Sequence, residues 1–398
     1  MSLNATPRGD RIHIALFGKR NAGKSSMINA LTGQELAIVS EIKGTTTDPV
    51  YKAMELLPLG PVVMIDTPGL DDEGDLGEKR VQKATEVLNK ADIALVVIDA
   101  SVGLTEFEKH MISLIEEKSI PYLKVYNKID LSGREWEEDR SQFVSAATGK
   151  GIWELKEAIG KLAPVEDEPQ RIVGDLIKPL DFVVLVVPVD KAAPKGRLIL
   201  PQQQTIRDLL EAGAVSIVVK DTELAQTLEK LGQKPALVIT DSQAFAKVSE
   251  IVPEDVLLTS FSILFARYKG DLEEEIRGVR ALKHLKDGDK ILIAEGCTHH
   301  RQCNDIGTVK IPKWLTEYTG KKFRIDTSSG GTFPEDLASY DLVIHCGGCT
   351  LNRREMKSRI ARVCDAGVPI VNYGIFIAAV TGILKRSLEP FEGMDQIL

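Results

Sequence analysis

Cysteine is scarce in this chain, with 5 in 398 residues. No run of about eighteen apolar residues occurs, so nothing is expected to span a bilayer. The opening stretch, MSLNATPRGDR, has no apolar h-region, which reads against a secretory signal. The protein is therefore expected in the cytoplasm. Thiols are kept reduced there, so clustered cysteines point to metal or catalysis before disulfides. Dense blocks of lysine and arginine are missing, and the formal net charge is -8. Phosphate-binding surfaces usually carry a basic footprint, so nucleic acid is a poor partner class. Low-complexity runs are absent too. What is there is an ordinary globular composition, 43% hydrophobic and 27% charged. The length suggests two or three domains, each burying its own core.

Three segments follow one another, all α/β. In the first, apolar strands (IHIALFG, VVMIDTPG, IALVVIDA, PYLKVYNK) alternate with helical patterns, which reads as a parallel sheet covered on both faces. It runs to about Pro164, and the polar stretch Val165 to Arg171 reads as a linker. The second repeats the alternation on a smaller scale, with strands FVVLVVP, VSIVVK and ALVIT and no catalytic constellation. Phe261, Phe265 and Tyr268 fall on one helical face there. Such a face packs internally or joins protomers. The third has strands KILIAEG, LVIHCGG and PIVNYG. The division is 1–168, 169–270 and 271–398: a P-loop domain and two smaller parallel α/β domains.

The stretch GKRNAGKS, Gly18 to Ser25, follows an apolar strand and opens a helical pattern, the context a P-loop requires. Its backbone N–H groups, with those of Asn21, Ala22 and Gly23, would cradle phosphate oxygens. Lys24 would reach the terminal phosphates, Ser25 would meet magnesium, and Ser26 continues the helix start. Asp66 of DTPG suits magnesium through a water, and Gly69 can offer its N–H to the terminal phosphate. In NKID, Asp130 can accept from the ring N–H and exocyclic amine of guanine, a donor pair that adenine lacks. Asn127 can meet the other edge of the base, and the stem of Lys128 can lie across it. Ser145 and Ala146 of SAATGKG can give N–H groups to the guanine carbonyl. In this order and spacing the set resembles the G1, G3, G4 and G5 boxes of small GTPases. The G2 box is then GTTTD, with Thr46 the magnesium threonine and Thr45 its neighbouring alternative.

Leu70 stands where Ras-like enzymes carry a water-orienting glutamine. With Asn21 in the P-loop, this resembles the potassium-activated GTPases of the TrmE and Era group. In that group the asparagine helps bind a potassium ion that fills the role of an arginine finger.

Three of the cysteines fall in two short pieces, EGCTHH and IHCGGCT. Cys297 follows one strand, and His345, Cys346 and Cys349 follow another. Ligands in open parallel sheets gather beyond the carboxyl ends of strands, where loops diverge. Gly347 and Gly348 let the second loop turn both thiolates inward. The helix after it, with Arg353 and Arg354, offers positive field. Three thiolates and a histidine fit a closed zinc site or an iron–sulfur cluster equally well. Cys364 reads as core, and Cys303 as a spare ligand at most.

The order GTPase, middle domain, C-x-H, then H-C-x-x-C resembles the HydF family of FeFe-hydrogenase maturation GTPases over essentially the full chain. The resemblance implies a 4Fe-4S cluster on Cys297, Cys346 and Cys349. The fourth position would fall to His345, His299 or, as the favoured reading, an exchangeable ligand. It also implies GTP, Mg2+ and K+ as cofactors and a homodimer built by the middle segment. The family role is a scaffold. It receives a di-iron precursor bearing CO and cyanide from two radical-SAM maturases and passes it to apo FeFe-hydrogenase. No C-x-x-x-C-x-x-C motif is present, so the radical chemistry falls to partners. Two rivals remain. One is a tRNA-modifying or ribosome-assembly GTPase with structural zinc, which the acidic balance and the cysteine-free ending GMDQIL oppose. The other is a binding module with vestigial hydrolysis.

Overall fold

The computed structural model describes residues 6–33, 49–67, 83–132, 138–163, 170–188, 198–297 and 305–398. Chain contacts divide it into two compact units, Met1–Asp167 and Glu168–Leu398.

The first unit is built on a six-stranded sheet in the order β2-β3-β1-β4-β5-β6. The strands are β1 (Ile12–Phe17), β2 (Val50–Leu56), β3 (Gly60–Asp66), β4 (Ile93–Asp99), β5 (Tyr122–Asn127) and β6 (Ser141–Phe143). All neighbours run parallel except β2 and β3. The expectation of a purely parallel sheet is corrected at that edge. β2 leaves Val50 exposed and interleaves Lys52 and Glu55 with apolar residues. It has the half-solvated pattern that antiparallel edges tolerate. The inner strands show the opposite pattern. Ile14 and Leu16 of β1 enter one core with Met27, Ile28, Leu155 and Ile159. Ala15 and Phe17 enter the other with Met111 and Ile115. Successive residues of a strand face opposite ways, so covering both faces demands an unbroken apolar run. The helices Lys24–Thr32 and Ile152–Leu162 cover one face, and Glu106–Glu117 covers the other.

The second unit holds two four-stranded parallel sheets. One comprises β7 (Phe182–Val186), β8 (Val215–Val219), β9 (Leu237–Thr240) and β10 (Leu257–Ser260), in the order β10-β9-β7-β8. The other comprises β11 (Lys290–Glu295), β12 (Arg324–Ser329), β13 (Leu342–His345) and β14 (Ile370–Asn372), in the order β12-β11-β13-β14. In both, the first strand lies between the second and the third. One apolar core runs through both sheets, from Val183 and Val238 to Ile293 and Ile344. Phe261 and Phe265 are buried in it. Their helical face thus packs inside the chain. The segments 169–270 and 271–398 each contribute one sheet, and the shared core joins them. Among the described residues, no helix is long and apolar enough to cross a membrane.

Candidate functional site

Two sites emerge, one in each unit. In the first unit, the turn after β1 carries Gly18 to Gly23 into the helix Lys24–Thr32. Asn21 and Gly23 have φ of 60° and 94°. A Cβ on Gly23 would lie 2.2 Å from Nδ2 of Asn127, so only glycine fits there. Lys24 is buried and folds back over the turn, donating to the carbonyls of Gly18 (2.8 Å) and Lys19 (2.9 Å). Its ammonium therefore marks where an anion would gather. Ser25 Oγ donates to Asp66 Oδ2 at 2.6 Å, so two of the three residues expected at magnesium already meet. Burial pushes the Asp66 carboxyl up, against the pull of Ser25, Lys24 and Lys52. Ser26 is half-buried on the same helix.

The base-reading residues divide into two groups. Asp130 is exposed at the start of the short helix Ile129–Ser132 and presents an open carboxylate. Asn127 is buried and its amide is committed to protein. Nδ2 donates to the Ala22 carbonyl (3.0 Å), and Oδ1 accepts from Ala146 N–H (3.0 Å). It clasps the P-loop to the Ser145–Ala146 turn, using one of its two N–H donors. The N–H groups of that turn are likewise engaged, with Ser145 donating to Lys150 O (2.9 Å). Lys128 has φ of 66° and donates to Asp99 Oδ2 at 2.6 Å. Asp99 itself is fixed, because its other oxygen accepts from Ser101 N–H (2.9 Å) and Ser101 Oγ (2.6 Å). Sequence reasoning missed Asp99. The available signal was a carboxylate at the carboxyl end of an inner strand. Thr45, Thr46, Gly69 and Leu70 lie outside the described residues, so the switch threonine and the DTPG glycine have no described placement.

In the second unit, Cys297 and Cys346 leave the carboxyl ends of the neighbouring strands β11 and β13, paired parallel with Ala294 opposite His345. This is the point where strand order reverses, since β12 and β14 lie to either side. Cys346 Sγ accepts from Gly296 N–H (3.0 Å) and Gly348 N–H (3.4 Å). Thr350 Oγ1 donates to Gly296 O (2.8 Å), tying the two loops together. Gly348 has φ of 57°, and this left-handed turn sends the chain from Cys346 back to Cys349. Burial raises both thiols. Cys349 goes up to about 12, through burial first and then the neighbouring Cys346 and Cys297. Cys346 is raised by burial and drawn back by the two N–H donors. Such thiols are poor free thiolates, and a bound cation would stabilise them.

Among the described residues, no group of three or more His, Cys, Asp or Glu side chains is gathered closely enough to hold a metal ion. The thiols nevertheless feel one another electrostatically. Coulombic reach exceeds bonding distance, so thiols too far apart to share one metal ion still act on one another. The donor chemistry fits a thiophilic metal or cluster, and the thiols would have to close further around it. Residues 298–304, which follow Cys297 directly, lie outside the described residues, and with them His299 and Cys303.

His345 is placed apart from the thiols. Its ring faces Phe333 and Arg359, while Cys346 and Cys349 pack against the core that contains Phe265. Both ring nitrogens are engaged. Nδ1 lies 2.6 Å from Cys346 O, and Nε2 lies 3.3 Å from Arg359 Nη1. Burial and then Arg359 push the ring down to about 3, so it stays neutral. Neighbours in an extended strand face opposite ways, and His345 follows that rule. Cys364 lies in the helix Arg353–Asp365 at the edge of a separate core. Sequence reasoning also missed Lys269. Its signal was a lysine closing the largely apolar run FSILFARYK, two residues after Arg267.

Three family models match the chain. Residues 13–128 match a 50S ribosome-binding GTPase model. Residues 172–270 match the Hydrogen maturase F dimerization domain, and 273–390 the Hydrogen maturase F tetramerization domain. The first unit is thus a GTPase domain, and the second carries domains of an oligomerising family, beyond the homodimer expected. The tRNA modification GTPase MnmE of Nitrosomonas eutropha is 38% identical over 169 residues, 40% of this chain and 37% of that protein. GTPase Der of Kosmotoga olearia is 30% identical over 211 residues, 48% of this chain and 47% of that protein. The chain thus spans between a third and a half of the length of these curated relatives. Among solved structures, a point variant of Aquifex aeolicus Era bound to GDP.AlF4- is similar at 23% identity and a TM-score of 0.35, covering 52% of this chain and 94% of that one.

Proposed function

We propose that this chain, which belongs to the hydrogen maturase F family, is a GTP-hydrolysing scaffold that carries a 4Fe-4S cluster. It would hold the di-iron precursor of FeFe-hydrogenase and deliver it to the apo-enzyme. The two radical-SAM maturases would supply that precursor, in the cytoplasm. The observation that carries the reading is the pair of neighbouring strand ends at Cys297 and Cys346, with two N–H groups donated to one sulfur. Cys297, Cys346 and Cys349 would hold the cluster. When bound, it supplies an iron whose fourth position a passenger can occupy. The placement of His345 favours an exchangeable ligand there, and His299 stays the other local candidate.

In the GTPase domain, Lys24 would neutralise the terminal phosphates. Ser25 and Asp66, already touching, would share magnesium with Thr46. Gly69 would donate to the terminal phosphate. Asp130 would select guanine, and Lys128 would be steadied beside the base by Asp99. Asn21 would hold potassium near the terminal phosphates in the role of an arginine finger, since Leu70 stands where a glutamine would orient water. A second reading, a tRNA-modifying or ribosome-assembly GTPase with structural zinc, is favoured by the MnmE likeness over the GTPase segment. The hydrogen maturase F matches over 172–390 weigh against it.

The test is activation of apo-hydrogenase by this protein after co-expression with the maturases, with Lys24→Ala alongside. Activation by wild type and not by the variant is expected. Activation that survives Lys24→Ala would remove GTP from the scaffold's role. Turnover measured in potassium and in sodium at equal ionic strength tests Asn21, and equal rates would exclude the ion.

A further inference from the structure

The thiol loop does not rest on its own sheet alone. The helix Phe261–Lys269 follows β10, the last strand of the other sheet, and runs beneath the loop. A Cβ on Gly347 would lie 3.4 Å from Phe265 Cβ and 3.6 Å from Ser262 Oγ, so loop and helix are in direct contact. Ser262 Oγ donates to Asn372 Oδ1 at 2.8 Å, which fastens the same helix to the end of β14. At its far end Lys269 is 1% exposed, and its ammonium donates to the carbonyls of Leu351 (2.9 Å) and Cys349 (3.2 Å). The two carbonyl dipoles hold the ammonium in place, against the backbone of Cys349 itself. A buried charge is tolerated where an opposite charge lies within reach. A cluster held by three thiolates is net negative and becomes more so on reduction.

We infer that Lys269 is a positioning and charge-compensating residue for the thiol site, contributed by the other sheet. It clamps the Cys349–Leu351 loop and stabilises the reduced state of what the thiols hold. The inference rests on the cluster reading above. It names a route by which the helix of one sheet acts on the metal site of the other: a shift of Phe261–Lys269 would move a full positive charge relative to the thiols. In a water-poor site such a charge acts strongly, because little solvent screens it.

The experiment uses the full chain, reconstituted anaerobically with iron and sulfide, as wild type, Lys269→Gln and Lys269→Arg. Each is titrated by redox potentiometry. Apo samples are followed by hydrogen exchange over 346–352. Lys269→Gln should shift the oxidised-to-reduced ratio at fixed potential at least tenfold toward oxidised, about 59 mV for one electron. Its apo loop should exchange faster. Lys269→Arg should keep the wild-type potential. Loss of cluster from the Gln variant alone also supports the charge role. A wild-type potential in Lys269→Gln overturns it. So does equal loss of cluster from both variants with unchanged folding, because shape and not charge would then be the requirement. Wild type that takes up no iron would sink the cluster reading itself. In that case faster apo-loop exchange in Lys269→Gln still reads the clamp.

Discussion

The two sheets of the second unit share one strand order and differ in what they place at the crevice. In each, the first and third strands are neighbours, and their carboxyl ends open onto the point where the order reverses. At the β9 end stand Asp241 and Ser242. Asp241 accepts from Gln202 Nε2 at 2.9 Å, and Ser242 Oγ donates to Ser260 Oγ at 3.1 Å. At the corresponding end of β13 stands Cys346, with two N–H groups donated to its sulfur. Among the described residues, one end is closed by its own polar pairs, while the other presents a thiol. Topology supplies the crevice in both, and the residues decide whether it has chemistry. The helices after the fourth strands meet as well. A Cβ on Gly374, in the helix Tyr373–Val380, would lie 2.7 Å from Ser262 Cβ in the helix Phe261–Lys269. The sheet without thiols thus supports the sheet that has them.

The largest effect should come from truncating side chains at the two crevice ends. Cys346→Ala and Cys349→Ala should each abolish cluster binding, measured as iron and sulfide after anaerobic reconstitution. Asp241→Ala should leave both unchanged. Iron retained by the cysteine variants, or lost from Asp241→Ala, would erase the distinction between the sheets.

A smaller effect separates two glycines. A Cβ on Gly278 would lie 1.8 Å from the carbonyl oxygen of Ile370 in β14, whereas Gly232, at φ 71°, faces open space. Gly278→Ala must push the helix Leu272–Gly278 off the strand and should destabilise by about 3 kcal/mol, the range of overpacked cores. Gly232→Ala meets only left-handed backbone strain, about 1 kcal/mol. Urea midpoints of the two variants test the order, and similar midpoints would contradict it.

Glu275, in the helix Leu272–Gly278, is buried, and neither carboxyl oxygen has a hydrogen-bond partner among the described residues. Burial, and then Asp271, raise it from the ordinary 4.5 to about 8. Folded, it keeps its proton to about pH 8, while unfolded it releases it near 4.5. Stability is whole below that window and falls as pH rises through it, by at most about 1.4 kcal/mol per pH unit. Glu275→Gln should flatten that slope in urea midpoints taken across the window. An unchanged slope would place the carboxylate in a wetter setting than the packing shows.

The smallest contrast lies in the caps. Ser260 accepts from Ile263 N–H at 3.3 Å, while Asn372 accepts from Gly374 N–H at 2.7 Å and from Ser262. Loss of a cap typically costs about 1 kcal/mol. Asn372→Ala should exceed Ser260→Ala, because it also frees the helix under the thiol loop. The reverse order would argue against that tie.

How much of this was legible from sequence depends on where each signal resides. Strands β1, β3, β4, β5, β7, β8, β9, β11, β13 and β14 carry apolar runs and read directly, β8 and β14 even though they are edges. β2, β6, β10 and β12 did not. β6 has three residues, and β12 reads RIDTSS, largely polar. Edge strands need bury only one face, so their pattern fades into that of a loop. The P-loop and the cysteines were legible because their spacing is local. The grip of Asp99 on Lys128 spans 29 residues and that of Lys269 on Leu351 spans 82. Only the fold brings such pairs together. Asn127 is a different case, since its hydrogen bonds to Ala22, 105 residues away, and to Ala146 could not be read from its place in NKID.

The central claim is that β11 and β13 end on an iron–sulfur cluster with one exchangeable position. Electron paramagnetic resonance of the reduced, reconstituted protein, before and after adding cyanide or imidazole, tests it most directly. A cluster signal that shifts on addition, and that persists in His345→Ala, is the expected result. A silent, colourless protein holding stoichiometric zinc would contradict it. So would a signal that ignores added ligand and vanishes in His345→Ala.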